Sequence, residues 1–256
     1  MGGRFTILGS GTGVPVAKRG PSGYLLEAGG ERVLFDSGSG TLKRMAEAGV
    51  SPDTLDRVFY THYHIDHFMD LPSLFFALKH PSLDRERVLQ VYGPDGLRRL
   101  VSGLQDLFKP WLMPENVSIH LHEVGPGWCE RLPCGEVSSA LTQHQEGSLA
   151  YRISLPGEGV VVYSGDTGYS TEMVKLARDA DVLVCECALE GTRDAPYHLN
   201  GEQAGRIAAE AGVGCLVLTH FYPEVDLTEV PELVKKRYQG KLVLAEDLLT
   251  FKIEDS

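Results

Sequence analysis

Thr61 to Phe68 reads THYHIDHF, and four of its eight residues, His62, His64, Asp66 and His67, carry a metal-binding side chain. The chain has nine histidines in 256 residues, so three within six positions is a concentration that a packed or solvated face does not explain. Zinc takes imidazole nitrogens and carboxylate oxygens, and a catalytic site keeps one position open for water. In an extended segment alternate side chains share a face, so His62 and His64 can grip one ion. A turn at Ile65 then lets Asp66 and His67 reach a second.

The segment just before it, Arg57–Val58–Phe59–Tyr60, reads as a buried strand that delivers the chain into the cluster. Leu71, Leu74, Phe75 and Leu78 follow at helical spacing. Outward from there, Phe5 to Leu8 is β-prone, and Tyr24 to Glu27 and Val33 to Phe35 form a hairpin about Gly29–Gly30. Helical patterns cover Leu42 to Ala48, Leu97 to Phe108, Asn200 to Ala211 and Val230 to Arg237. Strands are predicted at Val88 to Tyr92, Val117 to His122, Val182 to Cys185, Cys215 to Thr219 and Leu242 to Ala245. Ser139 to His144, Ala150 to Ser154 and Val160 to Ser164 read as an antiparallel meander. Asn200 is placed to cap its helix, with Gln203 reaching back. Without a linker, repeat or low-complexity tract, residues 1–256 read as one domain.

Composition narrows the function classes. Apolar residues make up 43% and charged residues 23%, ordinary for a globular chain. The formal net charge of −11 repels a long polyanion, so no stable nucleic-acid partner is expected. No signal peptide and no run of eighteen apolar residues is found, and the expected location is cytoplasmic, without a membrane partner. Five cysteines are read as reduced thiols, with Cys185 and Cys187 packed as small hydrophobes and Cys129 with Cys134 only a weak metal pair.

Four groups in one motif are too few for two ions, so the remaining ligands are sought where other strands end. His144, Asp166 and His220 each close a predicted strand. Together with the cluster, His62–Tyr63–His64–Ile65–Asp66–His67 is the HxHxDH signature of the metallo-β-lactamase fold, and the chain resembles that family from its first strand to its last. Ser164–Gly165–Asp166–Thr167 and Leu218–Thr219–His220–Phe221 resemble the family's later ligand motifs in order. The resemblance implies an α/β (α+β) fold, the αββα sandwich, with ligands at one edge of two sheets. It implies one metal held by His62, His64 and His144, another by Asp66, His67 and His220, and Asp166 between them. Asp66 is a ligand first and, by likeness to ribonuclease Z, an acid or base toward the attacking water second. Two divalent ions are expected: zinc first, with manganese or iron also acceptable to this donor set.

Further resemblance selects the ribonuclease Z and phosphodiesterase branch. His198 precedes an alanine-rich helix, as in that group, and is expected to protonate a leaving alkoxide or donate to a phosphoryl oxygen. Cys185–Glu186–Cys187–Ala188 resembles the group's HEAT motif, which places Glu186 to orient His198. Leu8 to Pro15 resembles its opening loop, and Arg19 and Ser22 either contact a phosphate or fix that loop. Twenty-one residues separate His144 from Asp166, an interval in which ribonuclease Z inserts its tRNA-gripping arm. The resemblance implies a hydrolase in which hydroxide held between two metals attacks a small phosphodiester or RNA-like substrate, and it suggests a homodimer. The alternatives are hydrolysis of a lactone, β-lactam or aryl sulfate ester, or a metal-stabilised binding module without turnover.

Overall fold

A computed structural model describes residues 3–80, 88–115 and 117–253. Its first seven-stranded sheet contains β1 (Arg4–Gly9), β2 (Gly23–Ala28), β3 (Glu31–Ser37), β4 (Arg57–Phe59), β5 (Val88–Gly93) and β6 (Ser118–Glu123). The second contains β7 (Cys129–Leu132), β8 (Gly135–Leu141), β9 (Leu149–Leu155), β10 (Gly159–Tyr163), β11 (Val182–Glu186), β12 (Cys215–Thr219) and β13 (Lys241–Leu244). The last strand, β14 (Thr250–Lys252), returns to the first sheet beside β1. Their orders are β14-β1-β2-β3-β4-β5-β6 and β13-β12-β11-β10-β9-β8-β7.

Three apolar layers hold the two sheets and their helices together. Because side chains alternate across a strand, Val33 and Phe35 of β3 enter the core between the sheets, while Leu34 faces the other way. Leu34 packs there with residues of α1 (Thr41–Glu47), α3 (Leu71–Ala77) and α4 (Leu97–Phe108), such as Met45, Leu74 and Val101. On the second sheet Val184 and Val217 face inward, whereas Leu183 and Leu216 meet α5 (Thr171–Leu176), α6 (Gly201–Ala211) and α7 (Val230–Lys235). Strands with both faces covered are continuous apolar runs, as β11 and β12 are. The four layers are the αββα sandwich.

Local chemistry agrees with the elements. Gly29 and Gly30 turn the β2–β3 hairpin at φ of 58° and 82°, where a side chain is disfavoured. Asn200 Oδ1 accepts from Gln203 N–H and Gln203 Oε1 accepts from Asn200 N–H, both at 3.0 Å, closing the capping box of α6. Cys185 and Cys187 are fully buried, and all five cysteines are free thiols.

Two expectations are corrected. The strand expected to end at His144 ends at Leu141, and the chain crosses to Gly168 through a single bridge at Gln143 before reaching the site. The segment after His64 is not a simple loop: α2 (Ile65–Phe68) begins there, so Asp66 and His67 sit on a helical turn. The antiparallel meander is found as expected in β8, β9 and β10, while β3 to β6 and β10 to β13 run parallel. Those parallel strands all carry their C-terminal ends to one edge, where ligands of open α/β sheets gather.

Candidate metal centre

Residues from four strand ends and one helical turn meet at that edge. β4 delivers His62 and His64, α2 delivers Asp66 and His67, the loop after β8 delivers His144, β10 delivers Asp166 and β12 delivers His220. All seven side chains named from the sequence come together. His62 Nε2, His64 Nδ1, His144 Nε2 and Asp166 Oδ2 form one group, with separations of 2.9 to 3.7 Å. Asp66 Oδ2, His67 Nε2 and His220 Nε2 form a second, with His220 Nε2 3.5 Å from Asp66 Oδ2 and 3.3 Å from His67 Nε2, and Asp166 Oδ1 lies 3.2 Å from His67 Nε2 and 3.4 Å from His220 Nε2. Four atoms about 2.1 Å from one tetrahedral ion lie about 3.4 Å from each other, so both groups have the dimensions of a metal cage. One carboxylate oxygen of Asp166 serves each.

Hydrogen bonds behind the cluster decide which nitrogens are free. His62 Nδ1 lies 3.0 Å from Thr61 Oγ1, and that hydroxyl donates to Asp36 Oδ2 at 2.8 Å. His67 Nδ1–H donates to the same Oδ2 at 2.8 Å, and His144 Nδ1–H donates to the Tyr197 carbonyl at 3.0 Å. Each of these rings therefore turns its Nε2 lone pair into the site, the arrangement by which metal-binding histidines are oriented. His64 is reversed: Nδ1 faces inward and Nε2 meets the Gln145 amide at 2.6 Å.

Charge is distributed to match. Burial opposes the ionised form of Asp166, but His220 and His67 prevail and hold it well below the usual carboxylate range. Asp66 is likewise held low against burial, by His220 and His67. Burial lowers His67 too, yet Asp166 and Asp36 on its two sides hold it well above the ordinary value. His62 falls well below, through burial and then the neighbouring imidazoles. The buried Asp166 Oδ1 has no hydrogen-bond partner among the described residues, and an unpartnered buried carboxylate oxygen is costly unless a cation meets it. The donor set, the cage dimensions and that orphaned oxygen all fit divalent metal.

Beside the two groups stands His198. Its Nδ1 lies 2.9 Å from Glu186 Oε1, and its ring centroid is 5.0 Å from His144 and 6.0 Å from His220. Glu186, fully buried, also accepts from the Thr167, Leu199 and Ala188 N–H groups at 2.7, 3.1 and 3.3 Å. Burial lowers the His198 pKa, but Glu186 outweighs it and raises the value to about 8.

Arg19 is engaged within the protein, in the connection between β1 and β2 that also carries Ser22. Arg19 donates to Ser10 Oγ at 2.6 Å and to the Ala245 carbonyl, and its guanidinium lies 4.9 Å from the Phe221 ring centroid. Ser22 is fully buried. That connection does reach the cluster, through Gly13 N–H, which donates to Asp66 Oδ2 at 2.8 Å. The sequence reading missed Asp36, Gln145 and Gly13. Asp36 ends an apolar strand just as Asp166 does, so the strand-end rule applied to β3 finds it. For Gln145 and Gly13 no local signal exists.

Comparison with known proteins follows this geometry. Residues 31–221 match the Beta-lactamase superfamily domain. The chain is 30% identical to ribonuclease Z of Methanothermobacter thermautotrophicus over 97% of its length and 96% of that protein's. That alignment needs 300 positions to place 97% of 256 residues, so the relative holds about fifty positions without a counterpart here. The probable metallo-hydrolase YhfI of Bacillus subtilis is 32% identical over 224 positions, 85% of this chain and 86% of the relative. A crystal structure of YhfI superposes with a TM-score of 0.83, covering 98% of both chains at 28% identity. The short form of human tRNase Z has a TM-score of 0.77 over 98% of this chain and 99% of that one at 24% identity, a likeness of fold.

Proposed function

The chain belongs to the Beta-lactamase superfamily, and from that premise we propose that it is a metal-dependent phosphodiesterase acting on small phosphodiesters. The observation that carries the proposal is the His198–Glu186 pair beside two donor groups that share Asp166. In this reading His62, His64, His144 and Asp166 hold one divalent ion, and Asp66, His67, His220 and Asp166 hold the other, zinc being favoured over manganese or iron. Two such ions supply a water of lowered pKa and neutralise charge on attacking and leaving oxygens, chemistry suited to displacement at phosphorus.

The chain's own groups do the rest. Glu186 fixes the proton of His198 Nδ1, so Nε2–H is the nitrogen left to face the substrate. From there His198 donates its proton to the departing oxygen, as a general acid worth about 10²- to 10⁴-fold in rate. Asp66, anchored by Gly13, is a ligand first and a proton acceptor for the attacking water second. Favouring a compact substrate over tRNA, the interval between His144 and Asp166 is filled by the short β9–β10 hairpin, and the net charge is −11.

Metal-reconstituted protein is assayed on bis(p-nitrophenyl) phosphate, a cyclic nucleotide, precursor tRNA, a lactone and an aryl sulfate. The proposal expects turnover of the first two above the others. His198→Ala keeps its metal content and loses turnover by about 100-fold or more. Full activity in that variant removes His198 from the reaction, and a preference for lactone or sulfate overturns the phosphodiester assignment.

A further inference from the structure

β12 ends in Leu218–Thr219–His220–Phe221–Tyr222, and His220 takes a left-handed φ of 57°. Such a value is uncommon for a residue with a side chain, and it sharply redirects the chain after the strand. Phe221 then turns into the protein under Arg19, its N–H donating to the Ser10 carbonyl at 3.1 Å. Tyr222, next along, lands half-buried at the metal centre. Its ring lies edge-on to His198 at 5.9 Å and 82°, and to His220 at 6.1 Å and 84°. It therefore spans the proposed acid and a proposed ligand from one position.

The hydroxyl has a donor's work undone. It makes no hydrogen bond among the described residues, although the other phenols around the cluster do: Tyr163 O–H is bound to Asp36 and Tyr151 O–H to the Tyr60 carbonyl. A phenol is protonated at neutral pH and carries one O–H donor. The charged groups nearest Asp66 and Asp166 include the imidazoles of His220 and His67, and the Arg19 guanidinium is already engaged. A phosphodiester bound here keeps an anionic non-bridging oxygen, and a neutral donor must meet whatever part of it the metals leave free.

We propose that Tyr222 is a substrate-contacting residue whose phenolic O–H donates to a non-bridging oxygen of the bound phosphoryl group. This rests on the phosphodiesterase reading and assigns that site a phosphoryl-recognising hydroxyl next to the acid. The test is Tyr222→Phe, which keeps the ring and its two edge contacts while removing the donor. Three quantities are compared in metal-loaded protein: kcat and KM on bis(p-nitrophenyl) phosphate, the calorimetric affinity for inorganic phosphate, and melting temperature with metal content. One hydrogen bond to an anion accounts for a loss of about 10- to 100-fold in kcat/KM and a similar weakening of phosphate, with metal content and melting unchanged. Values of kcat/KM and phosphate affinity within twofold of the parent overturn the proposal, as does an equal loss that accompanies a drop in metal content or melting temperature. If the parent turns over no phosphodiester yet binds phosphate in a Tyr222-dependent way, the inference stands and the phosphodiesterase reading falls. If the parent neither hydrolyses phosphodiesters nor binds phosphate, both fall.

Discussion

Replacing Asp36 by asparagine should damage the metal centre from behind, without touching a proposed ligand. Three donors converge on Asp36 Oδ2: His67 Nδ1–H at 2.8 Å, Thr61 Oγ1–H at 2.8 Å and Tyr163 O–H at 2.7 Å. Oδ1 takes the Thr61 N–H at 2.8 Å, and the residue is fully buried. An amide retains only one acceptor oxygen. If its NH2 replaces Oδ2, the two hydroxyls can rotate to offer lone pairs, but the His67 ring must move its proton to Nε2, the atom that faces Asp166 and His220. If it replaces Oδ1, the buried Thr61 N–H faces the amide NH2 and loses its acceptor. Either way His67 loses its buried charged partner, at a cost of about 3–5 kcal/mol. For a chain of this length that corresponds to a fall of about 6–20 °C in the melting temperature of the metal-free protein. A ring held in the wrong tautomer should also weaken metal at the Asp66–His67–His220 group by about 10- to 100-fold. Melting of the metal-free variant and competition titration against a chelator measure the two effects. A variant that melts with the parent and binds both metals with parental affinity refutes the claim that Asp36 sets the tautomer.

Two more outcomes are expected. Asp166→Asn keeps the shape but only one of the two oxygens that face the donor groups. It should retain about one metal equivalent in place of two by elemental analysis, with activity falling by more than the roughly 10- to 100-fold typical of a group outside the ligand sphere. Glu27, where burial raises the pKa but Arg4 and Arg32 prevail, is held below the ordinary glutamate value. A carboxyl with a depressed folded-state pKa stabilises the fold above its unfolded value, about 4.3, and that contribution disappears as pH falls through the folded value. Glu27→Gln should therefore show a flatter loss of melting temperature below about pH 4.5 than the parent. An identical pH profile shows that the pair with Arg4 and Arg32 contributes nothing in solution.

What the linear sequence determined by itself were the features that local order encodes. The apolar runs of β11 and β12, the Gly29–Gly30 hairpin, the Asn200 cap and the amphipathic pattern of α4 are set by residues a few positions apart, and each was found where expected. The HxHxDH stretch and the order of later motifs likewise identified the fold and the seven residues that now meet at one sheet edge. Short edge strands escaped notice: β7 is CERL and β14 is TFK, sequences with little alternation whose strand state comes from pairing with β8 and β1.

Tertiary structure alone decided how the site is wired. Asp36 lies 31 residues from His67 and 127 from Tyr163, yet it joins both to Thr61 through one carboxylate. Gly13 reaches Asp66 across 53 positions, and His67 faces His220 across 153. No periodicity spans such distances. Arg19 reads equally as an anion contact or a brace until the fold brings Ala245 and Phe221 against it. The physical reason is common to all of them: a side chain's chemistry belongs to the residue, but the partner that orients it, shifts its charge or uses up its donors is supplied by chain packing from elsewhere.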